Sequence, residues 1–264
     1  MRLSKYWMLL ASLVLVACGD ENGSSDTQSS KAQPKTDCTI SYGWESRKPY
    51  QFYENKKMRG IDVEILEQAA GKAGCQLNFV EKSWADLLEA VEKGTVDVLA
   101  GATPTEDRKQ FADFSVPYRE EAFALFIANS NSFSGDDLAQ FVSFGNKIGV
   151  SSGYFYGGDV EILMQHPQYK SMFVGSTTNE ASFYNVEYGR VHGVLVDPIE
   201  GRYIMKRRGF ESKMKESKIK IPADSVAYMF SKKSKKLEKL NEIKMGVEQL
   251  VAAQTPQKVI AKYQ

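Results

Sequence analysis

One arginine concentrates the chemistry this sequence could do. In the stretch GTVDVLAGATPTEDRKQFADFSVPY, residues 94–118, Val96, Val98 and Ala100 alternate with Asp97 and Leu99 as in a short buried strand, and Gly101 is expected to break that strand into a polar loop. Thr103 and Thr105 offer hydroxyls there, Thr105 can cap a short helix beginning at Glu106, and Arg108 follows one turn later. A guanidinium at the carboxyl end of a strand, where open α/β sheets bind ligands, suits the two oxygens of a carboxylate, with loop amides as further donors. The alternative is a surface ion pair of Arg108 with Glu106 or Asp107. A complementary anion stands at Asp197, after the alternating Val191, Gly193 and Leu195 and just before Pro198. An aspartate followed by proline is also an ordinary helix N-cap.

The elements that must carry these groups are legible around them. Residues 39–43 and 76–80 are expected strands. Residues 61–73 place apolar side chains at 61, 65, 66, 69, 70 and 73, a helical spacing that Gly74 ends. Ser83 starts another helix, with Asp86 placed for a capping box, Leu87, Leu88 and Val91 on one face, and Gly94 as the stop. Strand, helix, strand, helix, strand over residues 39–100 implies a parallel sheet with right-handed crossovers. Residues 122–127 form a longer apolar strand, followed by a polar loop at 130–137 and a second α/β series: strands at 147–150, 171–174 and 191–196, helices near 159–165, 180–188 and 199–207. An apolar strand at 225–230 and an amphipathic helix with Leu237, Leu240, Ile243, Val247 and Leu250 complete the pattern. A body of this size usually splits into two lobes of roughly 100 residues each.

The first 17 residues read as an export signal. Arg2 and Lys5 form a basic start, and residues 6–17 are an apolar run, shorter than the roughly 20 residues a bilayer span needs. The run ends Leu15-Val16-Ala17-Cys18, a small residue before a cysteine, while residues 21–35 are polar with no apolar period and read as a tether. Loss of residues 1–17 removes Arg2 and Lys5 and no acid, so the formal net charge moves from +1 to −1. Neither value suggests nucleic acid, and the local SKKSKK run at 231–236 lacks interleaved aromatics. Cys38 and Cys75 begin neighbouring strands of the expected βαβ unit, so in an oxidising compartment a disulfide is reasonable; two buried free thiols are the alternative.

Taken together, the strand, then Gly-x-Thr-x-Thr-x-x-Arg, then Phe-Ser-x-Pro-Tyr resembles the family 3 periplasmic solute-binding proteins, the polar amino-acid receptors of ABC importers. The likeness takes in GIDVEILEQAAGKAG (60–74), SWADLLEAVEKG (83–94), KIGVSSG (147–153) and GRVHGVLVD (189–197), in family order and over almost everything after residue 37. It implies an α/β, two-lobed periplasmic-binding-protein fold of type II, each lobe a mostly parallel sheet flanked by helices, joined by two hinge strands near 118–123 and 221–226. Residues 38–121 and 224–264 would form lobe I and residues 122–223 lobe II. Residues 1–17 would be a lipoprotein signal peptide and 18–37 a lipidated Cys18 with its tether, the Leu-Val-Ala-Cys sequence resembling a lipobox. The same resemblance gives Arg108 to a ligand carboxylate, Asp197 to an α-ammonium, and the Gly101 carbonyl with the Thr103 hydroxyl and amide to the first-lobe contacts. Trp44, Tyr50 and Trp84 would wall the pocket, a place in the core being the alternative for Trp84.

The chain departs from that pattern in the second lobe. Where such receptors usually carry Gly-Thr-Thr or Gly-Ser-Thr, this sequence has Gly153-Tyr154-Phe155-Tyr156. Tyr154 and Phe155 either line the pocket, changing which solute fits, or point into the core. The expectation is a monomeric, non-enzymatic module, without cofactor or metal, that captures a small polar ligand such as an amino acid for a membrane ABC permease. A signalling receptor is the alternative partner, and a dehydratase-like enzyme on the same fold is the third reading. The only histidines, His166 and His192, neighbour no catalytic or metal motif.

Overall fold

The computed structural model describes residues 37–263. Cys18, the segment before it and all but the last residue of the tether expected at residues 18–37 lie outside these. In the first half, β1 (Cys38–Trp44), α1 (Ile61–Lys72), β4 (Cys75–Glu81), α2 (Trp84–Lys93) and β5 (Val98–Ala102) realise the expected strand and helix alternation. A hairpin of β2 (Phe52–Glu54) and β3 (Lys57–Arg59) interrupts it. Local chemistry sets several boundaries. Ser83 caps α2 by accepting the Asp86 amide, and Gly94 closes that helix in the left-handed conformation at φ 76°.

β1 lies between β4 and β5 and is parallel to both. Cys38 is in register with Cys75, and the two form a disulfide with Cα atoms 4.6 Å apart at a sequence separation of 37. Closing a loop of that length contributes about 3 to 4 kcal/mol in the chain-entropy picture.

After α3 (Glu106–Phe111) and β6 (Ala112–Phe114), β7 (Arg119–Ala128) opens the second half. It continues with α4 (Leu138–Ser143), β8 (Ile148–Ser151), α5 (Gly158–Gln165), a 3-10 turn at Lys170–Met172, β9 (Phe173–Ser176), α6 (Asn179–Glu187), β10 (Gly193–Val196) and α7 (Pro198–Arg208). The chain returns through β11 (Met214–Ser231) and ends in α8 (Leu237–Ala252) and α9 (Thr255–Ile260). The strand order is β4-β1-β5-β11-β7-β10-β8-β9, with β6 also on β11. β10, β8 and β9 are parallel, whereas β7 and β11 run antiparallel to their neighbours.

Both halves bury both faces of their sheet, because alternate side chains of a strand point oppositely. Val98 and Ala100 of β5 join a core with Ile40, Leu66, Ile243 and Val247, while Leu99 and Ala102 join Leu87, Val91 and Met229. In β7, Leu125 and Ile127 pack with Phe141 and Leu195, and Ala124 and Phe126 pack with Phe183 and Phe210.

Several expectations needed revision. β11 begins at Met214, far ahead of residue 225, because its first part is held by pairing with β7 and not by an apolar run. Gly101 does not end β5: the strand passes through it at φ +69° to Ala102. A Cβ there would stand 2.7 Å from a guanidinium nitrogen of Arg119, so glycine is required by space as well as by backbone. The helix after Gly153, by contrast, begins at Gly158, close to its expected start at 159, and leaves Tyr154, Phe155 and Tyr156 in the preceding loop.

Candidate functional site

Arg108 is 7% exposed and sits on α3, which Thr105 caps by accepting the Arg108 amide at 3.3 Å. Among the described residues its guanidinium has no carboxylate partner. Nη1 donates to the Thr103 carbonyl at 3.0 Å and Nη2 to the Gly153 carbonyl at 2.9 Å. Burial pulls its pKa down to about 10, which the more distant charges of Glu121 and Glu161 only partly offset. The alternative of a surface pairing with Glu106 or Asp107 does not occur: Glu106 pairs with Lys109 instead.

Trp84 opens α2 beside it, with the Arg108 guanidinium 5.7 Å from the indole centroid. The indole Nε1 donates to the same Gly153 carbonyl at 3.1 Å. Gly153 lies between β8 and α5, so a loop of the second half is held by a cation and an indole of the first. Arg108, Trp84, Gly101, Thr103, Tyr154 and Phe155, all expected at the site, line one small cavity of about 10 Å³ together with Arg47 and Glu121. That volume holds at most one water.

Tyr154 therefore lines this cavity. Its ring packs edge-on against Trp84 with centroids 5.8 Å apart, and its hydroxyl donates to Glu45. Phe155 shares the cavity wall, while Tyr156 is fully buried in the second-half core and accepts the Ser151 amide.

Three expected residues lie elsewhere. Trp44 packs in the first-half core with Ile40, Tyr42 and Leu66 and does not line this cavity. Asp197 caps α7, its Oδ1 accepting the Ile199 and Glu200 amides at 2.9 Å each, and its Oδ2 accepts the Tyr50 hydroxyl at 2.9 Å. The capping role is thus filled, and the aspartate additionally ties the second half to Tyr50. Burial first, and Asp197 next, raise the Tyr50 phenol far above its ordinary range.

The ionic groups around Tyr50 were not anticipated. Arg119 grips Asp62 with two bonds, 2.8 and 3.1 Å, and its guanidinium lies 4.1 Å from the Tyr50 centroid. Arg47 donates to Glu121 at 2.6 Å and to Glu200 at 3.1 Å. Burial would raise Glu121, but Arg47 and Arg119 outweigh it and hold the carboxyl below its usual range. For Glu200 burial prevails over Arg47 and the Asn179 amide, and the carboxyl is pushed up to about 7. One signal was available in the sequence: Arg119 and Glu121 stand at i and i+2 of β7, which places both on one face and Glu120 on the other.

Two α/β halves, joined by strands that cross between them and meeting over a buried cation, define a cleft-type solute-binding protein. The chain belongs to the bacterial extracellular solute-binding proteins, family 3, which match residues 40–264. It is 30% identical over 157 residues to a probable histidine-binding protein of Campylobacter jejuni subsp. jejuni, spanning 57% of the length of each. The probable amino-acid-binding protein YxeM of Bacillus subtilis is 24% identical over 270 residues, 100% of this chain and 96% of that one. In structure the chain resembles an ancestral arginine-binding protein bound to arginine, with TM-score 0.72 and 24% identity, covering 86% of this chain and 99% of the other. The family is one of binding proteins, not of enzymes.

Proposed function

We propose that this chain captures a small carboxylate-bearing solute, an amino acid in the first instance, between its two lobes and presents the closed form to a membrane ABC permease. The observation that carries this reading is Arg108: a buried cation at the meeting of the two halves, hydrogen-bonded among the described residues only to carbonyl oxygens. A carboxylate offers such a guanidinium two charged acceptors in place of two neutral ones and adds its own charge to bonds worth roughly 1.5 to 3 kcal/mol each. The names of the relatives support an amino acid. Because the cavity is small, the lobes, taken as residues 38–121 with 224–264 and residues 122–223, must part to admit a solute and close again upon it. Asp197 and Tyr50 then stand ready to exchange their mutual bond for one to an ammonium group.

The same reading places the protein as a monomer outside the cytoplasmic membrane, tethered by acyl chains on Cys18 after removal of residues 1–17. Thermal-shift screening against amino acids and simple carboxylic acids, followed by calorimetry on Arg108→Ala, tests it. A carboxylate that raises the melting temperature of the wild type and loses affinity in the variant is the expected result. Failure of every carboxylate, or unchanged affinity in Arg108→Ala, would refute the reading.

A further inference from the structure

Arg47 is carried by the loop between β1 and β2 and is 3% exposed. Both carboxylates that grip it come from elsewhere in the chain. Glu121 belongs to β7 and accepts from Nη2 at 2.6 Å; Glu200 belongs to α7 and accepts from Nε at 3.1 Å. Two aromatic rings attend the same guanidinium, Tyr154 at 5.2 Å and Tyr50 at 5.5 Å from centroid to Cζ. The cradle is itself braced. Asn179 donates to the other Glu200 oxygen at 2.9 Å and accepts from Ser151 at 2.6 Å, and Glu45 fixes the Tyr154 hydroxyl. Two carboxylates and two ring faces are what recognition of a free guanidinium calls for.

The position of this group is as telling as its partners. Arg47 and Tyr154 line the small chamber of Arg108, and they also line a cavity of about 600 Å³ on the other side, bounded by Glu45, Lys48, Ser83, Thr178, Glu200 and Tyr203. The two side chains are the partition between chamber and vestibule. Stability alone is a weak reason for such a cluster, since desolvating an ion pair consumes much of its attraction and an apolar residue could fill the same space.

We infer that the Arg47 guanidinium is a built-in occupant of a guanidinium subsite formed by Glu121, Glu200, Tyr50 and Tyr154, and that it bars solutes with a basic side chain from the cleft. The exclusion of basic solutes rests on the cleft reading given above; the subsite rests on its own geometry. A basic side chain entering from the vestibule meets a resident cation and finds both carboxylates taken. Arginine-binding and histidine-binding relatives notwithstanding, the wild-type chain selects a solute whose side chain is not cationic.

Chemical rescue tests this directly. Methylguanidinium carries no carboxylate and has no use for Arg108, so the outcome is independent of the test of the cleft reading. Arg47→Ala is expected to bind methylguanidinium at least about tenfold more tightly than the wild type by thermal shift or calorimetry, the size of one charge-assisted contact. Adding Glu200→Gln should remove most of that gain, and ethylammonium at the same concentration should not reproduce it. L-Arginine should likewise bind Arg47→Ala and not the wild type. Should Arg47→Ala fail to fold, refolding is compared with methylguanidinium and with ethylammonium: recovery by the first alone supports the subsite. Equal response to both cations, no gain over the wild type, no recovery by either, or wild-type binding of L-arginine would overturn it.

Discussion

Arg108 and Arg47 line one cavity, both buried, and their surroundings are opposite. Arg47 is saturated with acid, two carboxylates at bonding distance and a third nearby, and against the pull of burial its pKa is raised by Tyr154 and these carboxylates together. Among the described residues Arg108 has only carbonyls at bonding distance, and burial lowers it. The difference teaches which arginine is built to meet something else. A buried cation whose charge is already matched is part of the wall, whereas one solvated by neutral oxygens gains from any anion that arrives.

The sharpest way to break the comparison is to remove the anion from the saturated side. Glu121→Gln leaves Arg47 short of a carboxylate in a buried site and should lower folding stability by about 3 to 5 kcal/mol, measured by chemical denaturation. Arg108→Ala should do the reverse, costing little stability while weakening a carboxylate solute by about 2 to 5 kcal/mol in calorimetry. Equal stability losses in the two variants would erase the distinction drawn here.

A finer probe is pH. Glu200 rises from an ordinary 4.5 to about 7 in the folded protein, so the folded form takes up the proton first. Its contribution is then fully present below about pH 4.5 and declines as pH rises through 7, by up to about 3 kcal/mol. Glu121 behaves oppositely, its stabilisation being lost only as pH falls through its lowered folded value. Denaturation of wild type and Glu200→Gln between pH 5 and 8 should therefore show the wild type losing ground to the variant as pH rises. A flat difference would mean that Glu200 stays ionised throughout. The smallest effect is expected from Tyr154→Phe, which strips Glu45 of its hydroxyl donor and should cost about 1 to 2 kcal/mol; melting curves matching the wild type would show that this bond does not matter.

How much of this was legible follows from how local each signal is. The alternation over residues 39–100, the Ser83 and Thr105 caps and the Gly94 stop are written within a few residues of where they act, and all are present. The β2 and β3 hairpin was not read, because its turn uses Asn55 and Lys56 at φ 52° and 62°, and lysine gives none of the warning that glycine would. The lysine-rich start of β11 owes its strand conformation to β7, a partner some ninety residues earlier, and no window of sequence contains both. For the site, Arg108, Thr103, Gly101, Trp84, Tyr154 and Phe155 were named and share a cavity, whereas Trp44 was placed at the cleft by its nearness to a strand end and belongs to the core. Arg47, Glu121 and Glu200 come from three distant segments, and only the folded chain brings them together.

The course of β11 has a consequence for the order in which the molecule can assemble. The strand pairs with β7 through its first part and with β5 through its last, and α8, which packs on α1, comes later still. A chain appearing amino end first makes β1, β4, β5 and α1 early, yet must wait for residues 225–252 before their apolar edge and helix face are covered. Meanwhile β7 to β10 of the second half are already available to one another. The first part made is thus the last part finished, and until then it is a sticky surface that needs shielding. A chain stopped after Ser231 should bind an apolar-surface dye strongly, while the whole chain should not.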